Sequence, residues 1–480
     1  MPMLLRSRAP AWGLVACLAL AAPLSARLAA QDAGASAGPA APPASAAAAD
    51  PARPFGTLRE QAERQQRWLR ERLDSILPRL MRRYGISMWV IPMREYNEDP
   101  VFPALVSPTT FAARRRTIYV FYDRGPERGV ERIALGGSSQ GGLYQAVRST
   151  KEVRAPVAGR RAELWGDQQW QVLKQVIEAR QPRVIGIDIS RTFAFADGLS
   201  AGEYEAMRAA LGPRWTRRFK RVEGLAVDLL AARLPDEQRF YHDLVRLTWA
   251  VIDTMFSERV VRPGVSRPSD LAWYFRQKVN DLGLGTWFQP TVDVQRRGAT
   301  EEQLGEDPVI QRGDLLHCDV GITALRLNTD VQHLAYVLGE GETEAPAGLR
   351  RALARANRLQ DIMMEEIRPG RTGNEILASA RARMTEEGID GTIYSHPIGL
   401  HGHGAGPLIG LWDYQEGVPG RGDHRVIPNM WFSVELQATT PVPEWGDQPV
   451  RMAQEEDMVM GPDGIPRWAY RRQTELHLIK

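Results

Sequence analysis

Histidines and acids in the C-terminal half of the chain have the types and spacing of a metal-binding set. Only eight histidines occur in 480 residues, yet His396, His401 and His403 lie within one glycine-rich stretch of eight residues. A buried carboxylate without a cation costs several kcal/mol, so acids inside apolar strands need positive charge nearby. Four acids interrupt apolar, strand-like runs in this half of the chain: Asp319, Asp330 eleven residues later, Glu435 and Glu455.

Four carboxylates and one imidazole suit two divalent ions, because two such ions neutralise four negative charges. No lysine or arginine lies within these strand cores to serve all the acids. Oxygen-rich ligation with one histidine suits Mn²⁺, and also Zn²⁺, Co²⁺ or Fe²⁺. Each acid taken alone reads more simply as a strand-end or edge residue. The ordered set predicts a dinuclear metal site, with Mn²⁺ as the preferred ion.

Two regions of different pattern would position this set. In residues 55–235, apolar runs at 86–91, 117–122 and 184–189 predict buried strands, and helical patterns lie around 60–83, 167–180 and 201–211. Strands that alternate with helices are typical of an α/β domain. The start of a helix at Leu234-Pro235-Asp236 marks the expected boundary, so residues 236–480 form the second domain.

The second region contains a repeated sequence pattern. A helix runs into Arg262-Pro263-Gly264 and is followed by a second helix, and about a hundred residues later the order recurs around Arg368-Pro369-Gly370. Pro-Gly is common after a helix, but here the whole order of helix, Arg-Pro-Gly and helix occurs twice. It predicts two related halves, with the site in the cleft between them.

The N-terminus has the pattern of an export signal. Residues 1–30 carry Arg6 and Arg8 without an acid, then a short apolar stretch, then small residues, so we expect cleavage near Ala30. Lipidation at Cys17, which follows Leu-Val-Ala, is the alternative. Residues 31–54 are almost all Ala, Pro, Gly, Ser and Asp and read as a flexible linker. We expect a periplasmic or secreted protein with no stable membrane span in its mature form.

The ordered residues resemble the pita-bread metallopeptidases, the M24 family of Xaa-Pro aminopeptidase, prolidase, methionine aminopeptidase and creatinase. Residues 236–480 carry the motifs, and residues 55–235 resemble the creatinase-type N-terminal domain by layout. The resemblance implies an α/β (α+β) fold whose catalytic domain has two halves related by a pseudo-twofold axis. The motifs are Asp319 and Asp330, Ser395-His396-x-x-Gly399 with His403 seven residues after His396, Glu435, and Glu455.

The resemblance also implies a role for each residue. Glu435 would carry the proton, and His403 would contact the substrate or the charge that develops at the scissile bond. The implied activity is that of an Xaa-Pro aminopeptidase or prolidase-like exopeptidase, which hydrolyses the N-terminal bond of peptides or dipeptides through a metal-bridging hydroxide. Among the ligands, Asp319 would chelate one metal, Asp330 would bridge both, His396 and Glu435 would hold the other, and Glu455 would be the second bridge.

Departures from the family pattern leave the preference for proline open. Residues 288–298 lack the histidine that the family has before the first aspartate, and Ala453 stands where proline peptidases have arginine. Leu436-Gln437 replaces the usual Pro-Gly after the fourth ligand. The resemblance favours Glu455 over Glu456 as the last ligand, because Gly464 follows Glu455 at the distance that the family shows. A shift by one residue would also point the acid to the other face of a strand. A creatinase-like C–N hydrolase is the alternative reading.

A serine hydrolase is a second alternative from another class of enzyme. Gly137-Ser138-Ser139-Gln140-Gly141 matches the Gly-x-Ser-x-Gly elbow, with Ser139 as the nucleophile. The five residues lie in a glycine-rich stretch, which a solvent loop explains more simply.

Composition excludes other classes of protein. Hydrophobic residues make up 43% and charged residues 25% of the chain, as in ordinary globular proteins. The formal charge of +3 is too small for a nucleic-acid binder. Loss of residues 1–30 would remove three arginines and leave 58 basic against 58 acidic residues, with Cys318 as the remaining cysteine. The expected partner is a peptide substrate, and a homodimer is compatible with the sequence.

Overall fold

The computed structural model describes residues 53–149 and 162–480. The predicted signal peptide, Cys17 and nearly all of the predicted linker lie outside these residues, so export and lipidation stay predictions. Within the described ranges, no helix is long and apolar enough to cross a membrane.

Strands of the N-terminal region form one mixed sheet. They are β1 Met88–Arg94, β2 Arg116–Asp123, β3 Val130–Leu135, β4 Gln145–Val147, β5 Ile185–Ile187 and β6 Phe219–Arg221. Their spatial order is β4-β3-β2-β1-β5-β6. Central β1 pairs antiparallel with β2 and parallel with β5. The three predicted strands correspond to β1, β2 and β5, which confirms them.

Helices cover both faces of this sheet. Alternate residues of β1 enter two separate hydrophobic cores, with Trp89 and Ile91 in one and Met88 and Val90 in the other. The predicted helices at 167–180 and 201–211 are confirmed, whereas the one at 60–83 is interrupted by a π-helical turn, Arg72–Ile76. The α-helices of this region are α1 Leu58–Glu71, α2 Leu77–Arg83, α3 Phe102–Leu105, α4 Asp167–Arg180, α5 Ala201–Leu211, α6 Pro213–Thr216 and α7 Glu223–Ala231.

A larger, mainly antiparallel sheet occupies the C-terminal region. Its strands are β7 Thr291–Gln295, β8 Leu315–Val320, β11 Val331–Val337, β12 Asp390–Ile393, β13 His396–Pro397, β14 Phe432–Val442, β15 Gln448–Met460, β16 Pro466–Trp468 and β17 His477–Ile479. A separate two-stranded ribbon is formed by β9 Thr323–Ala324 and β10 Leu327–Asn328. The main path is β12-β14-β15-β11-β8-β7. Strands β8 and β11 pair antiparallel, with Asp319 on β8 and Asp330 one residue before β11.

Two helix pairs accompany the sheet. The helices of this region are α8 Pro235–Met255, α9 Pro268–Asp281, α10 Glu301–Leu304, α11 Ala347–Glu366 and α12 Gly373–Glu386. The first of them, α8, starts at Pro235, as predicted. Gly264 lies between α8 and α9 and Gly370 between α11 and α12, both with left-handed φ angles of 80° and 89°. The two Arg-Pro-Gly turns therefore need glycine for the same reason, which is the absence of a Cβ at positive φ.

Two arginines tie the N-terminal region to the C-terminal one. Arg72 is buried and binds both carboxylate oxygens of Glu237, at 2.6 and 2.9 Å, at the start of α8. It also donates to two carbonyls at the end of α7. Arg326, between β9 and β10, donates to three carbonyls of residues 103–107. These contacts hold the first region against helix α8 and against the β9–β10 ribbon of the second region.

Candidate metal centre

One rung of the second sheet brings three of the predicted acids side by side. Gln332 of β11 pairs with Asp319 of β8 on one side and with Glu455 of β15 on the other. Glu455 in turn pairs with Glu435 of β14. Residues paired across strands point to the same face, with Cβ atoms about 4.5–5.5 Å apart. The register therefore aligns three carboxylates across four strands.

Asp330 and His396 complete this cluster from neighbouring positions. Asp330 precedes β11 by one residue, two before Gln332, and His396 pairs with Ser433, two before Glu435. Three overlapping groups of residues each bring their ligand atoms within 4.8 Å of one another. The groups are Asp319, Asp330 and Glu455; His396, Glu435 and Glu455; and Asp330, His396 and His403. The structure thus brings all five predicted ligands together.

Several ligand atoms of this cluster are buried without a hydrogen-bond partner. Among the described residues these atoms are Asp319 Oδ1, Asp330 Oδ1, His396 Nε2 and Glu455 Oε1. A buried polar atom without a partner costs about 1–3 kcal/mol, so four in one cluster call for a ligand. Oxygens with one imidazole nitrogen match the donors of a first-row divalent metal. The residues fit the metal pair that the sequence predicts.

The ring of His396 is oriented for a metal. Its Nδ1 lies 3.0 Å from the carbonyl oxygen of Pro397 and donates to it. This bond leaves Nε2 with its lone pair toward the acids, 3.3 Å from Glu455 Oε1 and 3.5 Å from Asp330 Oδ2. A backbone carbonyl that holds the far nitrogen is the usual way to set the tautomer of a metal-binding histidine.

The acids are electrostatically incompatible with one another in the absence of cations. Burial raises the pKa values of Asp319, Asp330 and Glu435 well above the usual range for carboxyl groups. Among neighbouring charges, that of Glu455 contributes most to each of these shifts. Like charges at this spacing cannot all ionise in a buried site unless cations compensate them.

Strand alternation separates Glu455 from Glu456. The carboxylate of Glu456 lies on the other face of β15, where it accepts from Trp249 Nε1 at 3.2 Å and contacts His333 Nε2 at 3.0 Å. Asp457 returns to the face of Glu455, and its Oδ2 accepts from the backbone N–H of Asp330 at 3.2 Å. Glu455 therefore joins the cluster, whereas Glu456 is satisfied elsewhere.

The other two histidines of the glycine-rich stretch lie on different sides. The ring of His403 is 4.7 Å from that of His396 and 5.3 Å from that of Trp287. Partial burial, and then the charge of His396, lower the pKa of His403 to about 4. The ring of His401 points instead toward Phe195 of the N-terminal region, at 4.9 Å. Only His403 of this pair is close to the predicted ligands.

A chain of polar side chains beside the cluster was not predicted. Gln332 Nε2 donates to Glu435 Oε1 at 2.9 Å and to Glu455 Oε2 at 2.7 Å. Gln332 Oε1 lies 3.0 Å from His317 Nε2, and His317 Nδ1 lies 3.3 Å from Asp293 Oδ2. The available signal was the strand period of two, which places Gln332 and His317 on the faces of Asp330 and Asp319.

Arg421 is a second residue that the sequence analysis missed. Its Nη2 donates to the carbonyl of Gly404 at 3.0 Å, its Cζ is 5.7 Å from the ring of Phe195, and its buried Nε has no partner among the described residues. Burial lowers its pKa, which the proximity of Tyr394 partly offsets. No local pattern distinguishes Arg421 from the other arginines, because its environment depends on the N-terminal region.

One departure from the family pattern is Ala453, which stands where proline peptidases have arginine. Ala453 is buried next to the cluster, two residues before Glu455. Nearby Arg451 does not replace the missing arginine, because its backbone N–H and its side chain bond to Gln295 and Gln437, and its guanidinium is 3.9 Å from Glu301. Arg451 therefore does not occupy the position of the family's arginine.

Ser139 lies apart from the metal cluster, in the loop after β3 of the first sheet. Its side chain is exposed, and its hydroxyl accepts from the backbone N–H of Gly142 at 3.4 Å. Among the described residues, no histidine forms a hydrogen bond with it. The structure gives this hydroxyl no general base, so the elbow motif is a solvent loop.

With this geometry in view, comparison with known proteins identifies the family. Residues 240–460 match the model of metallopeptidase family M24. The chain carries an M24 metallopeptidase domain. The predicted family and enzyme class are thereby confirmed, and the structure contains candidate ligand groups for the divalent metal on which such a family depends. A search of curated protein sequences finds no match.

Solved structures share the fold across most of the chain. An X-Pro aminopeptidase from Thermotoga maritima is 17% identical, with a TM-score of 0.57, and the match covers 83% of this chain and 99% of that one. An Xaa-Pro dipeptidase from Bacillus anthracis is 19% identical, with a TM-score of 0.54 and coverages of 87% and 99%. The N-terminal domain of the FACT complex subunit SPT16 from chickpea is 11% identical, with a TM-score of 0.54 and coverages of 86% and 99%.

These similarities confirm the predicted fold, in which an α/β N-terminal region is followed along the chain by a pita-bread domain. The third protein bears a name that states no peptidase activity, so the fold alone does not establish a reaction. For the reaction of this chain, the ligand cluster carries more weight than the fold.

Proposed function

We propose that the protein is a dinuclear metal-dependent exopeptidase of the Xaa-Pro aminopeptidase or prolidase type, which cleaves the N-terminal peptide bond of short peptides. The observation that carries the proposal is the convergence of four buried, unpartnered ligand atoms on one site of an M24 domain. The expected metal is Mn²⁺, because three of these four atoms are carboxylate oxygens. The residues that would hold the ions are Asp319, Asp330, His396, Glu435 and Glu455.

Two residues of the site can move or hold a proton around the scissile bond. A pair of divalent ions, when bound, polarises a substrate carbonyl and lowers the pKa of a water molecule. Glu435 Oε1 accepts from Gln332, and Oε2 has no hydrogen bond among the described residues, so Oε2 can take up a proton and pass it on. His403 is neutral at pH 7 because of its low pKa, and its ring N–H can donate to a developing oxyanion.

Arg421 and Phe195 support a short substrate with a free carboxylate. The guanidinium of Arg421 is close enough to His403 for its charge to contribute to the lowered pKa of that ring, and its Nε has no partner among the described residues. A planar guanidinium with a spare donor is suited to a carboxylate. In a dipeptide, the carboxylate lies one residue from the scissile bond. The ring of Phe195 lies 5.7 Å from the guanidinium carbon and is an apolar neighbour of the carboxylate that Arg421 would bind.

The proposed location is the periplasm or the medium, with cleavage of the signal near Ala30. N-terminal sequencing of the protein from fractionated cells tests this. A mature start close to residue 31 supports export, whereas protein that keeps Met1 in the cytosol contradicts it. Size-exclusion chromatography with light scattering tests whether the enzyme is a homodimer.

Metal analysis paired with substrate hydrolysis tests the proposed reaction. We expect two transition-metal ions per chain and chelator-sensitive hydrolysis of Xaa-Pro dipeptides or Xaa-Pro-Yaa peptides. Fewer than one ion per chain with chelator-insensitive activity would overturn the proposal. Hydrolysis of creatine in place of peptides would favour the creatinase-like alternative.

A matched pair of variants on β15 ties the activity to the proposed ligands. Glu455→Gln should lose one ion and most activity, since it removes a carboxylate from the cluster. Glu456→Gln makes the same chemical change one residue along, on the opposite face, and should keep both ions. Equal metal content and turnover in the two variants would show that Glu455 is not a ligand.

A further inference from the structure

Gln332 lies at the centre of the rung that carries the acids, yet it is a neutral residue. It is 4% exposed and is the cross-strand partner of both Asp319 and Glu455. Its side chain reaches two acids at once, Glu435 Oε1 at 2.9 Å and Glu455 Oε2 at 2.7 Å. Each of these acids is therefore held at one oxygen by the same amide group.

The orientation of this amide follows from the acids. Ionised carboxylates only accept hydrogen bonds, so the group that faces both of them must be the Nε2 amide, which has two N–H donors. Oε1 is then directed to His317 Nε2 at 3.0 Å, which must carry a hydrogen to donate to it. On its far side, Nδ1 of His317 lies 3.3 Å from Asp293 Oδ2. The two acids on one side and His317 on the other thus fix which end of the amide meets the acids.

These bonds divide the oxygens of Glu455 between two tasks. Oε2 is held by Gln332, whereas Oε1 is buried without a partner and lies 3.3 Å from His396 Nε2. The oxygen left open is therefore the one that faces the other ligands. A donor on the opposite oxygen stops the carboxylate from rotating away from an incoming ion.

We propose that Gln332 is a positioning residue for the metal centre, which holds Glu435 and Glu455 in ligand geometry and is itself oriented by His317. The inference rests on the proposed function, because it takes both acids as metal ligands. Partners that orient metal ligands in this way typically change metal affinity by about 10- to 100-fold when they are removed.

Replacement of Gln332 by methionine tests the inference through metal binding rather than turnover. Gln332→Met keeps the length and volume of the side chain and removes both N–H donors. We expect the dissociation constant for Mn²⁺, measured by calorimetric titration of metal-free protein, to rise about 10- to 100-fold. The visible spectrum of the Co²⁺-loaded variant should also change, because the ligand arrangement around the ion changes. Gln332→Asn, whose amide is one methylene too short to reach, should weaken binding in the same direction.

Val337→Ala is the control on the same strand. Val337 is fully buried on the opposite face of β11 from Gln332, so its truncation destabilises the strand without removal of a bond to the acids or of a neighbour of His317. This variant should unfold at a lower temperature but bind Mn²⁺ as the wild type does. A loss of affinity equal to that of Gln332→Met would reduce the effect to general destabilisation and overturn the assignment.

His317→Leu tests the second part of the inference. If His317 acts through Gln332, its replacement should weaken Mn²⁺ binding in the wild-type background and have no further effect in Gln332→Met. Independent, additive effects would show that His317 does not act through the amide. If the wild type binds two ions and Gln332→Met binds them equally tightly, the positioning role is wrong. If the wild type itself binds no metal, it is the proposed function that fails.

Discussion

Removal of metal should destabilise the folded protein by several kcal/mol. The four unpartnered ligand atoms of the cluster would be satisfied by ions, and each buried atom without a partner costs about 1–3 kcal/mol. Their sum puts the gap, which is the difference in the free energy of unfolding between the metal-loaded and the metal-free protein, at about 4–12 kcal/mol. Because 1 kcal/mol shifts the unfolding temperature by about 2–4 °C in domains of 150–250 residues, we expect a rise of at least about 8 °C on loading.

The pH dependence of this gap has a definite sign. Burial raises the pKa values of Asp319, Asp330 and Glu435, so in the stripped protein the folded state keeps protons that the unfolded chain releases above about pH 4. Burial alone lowers the pKa of His396, but Glu455 outweighs it and the net shift is upward, so its effect has the same sign. The stripped protein should therefore lose stability as the pH rises from about 4 through these raised values. Ions replace the protons in the loaded protein, so the gap widens with pH.

Differential scanning calorimetry measures both effects. Protein dialysed against a chelator and the same protein with excess Mn²⁺ are compared at pH 5.5 and at pH 8, with Asp330→Asn as the control. Since this variant removes a buried charge, its stripped form should be more stable than stripped wild type at pH 8, and its shift on loading should shrink. A wild-type shift below about 2 °C at pH 8, or an equal shift at both pH values, would refute the reasoning.

Three further predictions concern individual residues. His403→Ala should keep both ions and lose turnover, and metal analysis that shows loss of an ion would make His403 a ligand. Arg72→Met should lower the free energy of unfolding by about 3–5 kcal/mol, because it leaves the buried carboxylate of Glu237 without its cation. Denaturant titration measures this free energy, and a loss below about 1 kcal/mol would contradict the prediction. Ser139→Ala should leave peptide hydrolysis unchanged, and labelling of the wild type by a fluorophosphonate that this variant abolishes would restore the serine-hydrolase reading.

Much of the fold could be predicted because local patterns carry it. The helix predicted at 167–180 has those bounds in the structure, since its apolar spacing and its end at Arg180 are local properties. The region 60–83 was less predictable. Its helical period continues through Arg72–Ile76, but the backbone forms a π-helical turn there. Arg72 uses that turn to reach Glu237, 165 residues away, and no local pattern encodes such a contact.

The sequence by itself predicted which residues form the candidate site. Asp319, Asp330, Glu435 and Glu455 stand out because carboxylates inside apolar strands demand cations. The resemblance to the M24 family singles out His396 among the three histidines and Glu455 over its neighbour. Both arguments depend only on residue type and on spacing along the chain.

Only the tertiary structure decided how the site is completed. The bonds of Gln332 to two acids depend on the register of β11 between β8 and β15, and the contact of Phe195 with Arg421 depends on how the N-terminal region packs on the second sheet. Each of these contacts joins residues more than a hundred positions apart. Local propensity sets the strands and helices, but the register and packing that bring such residues together follow from the burial of the whole chain.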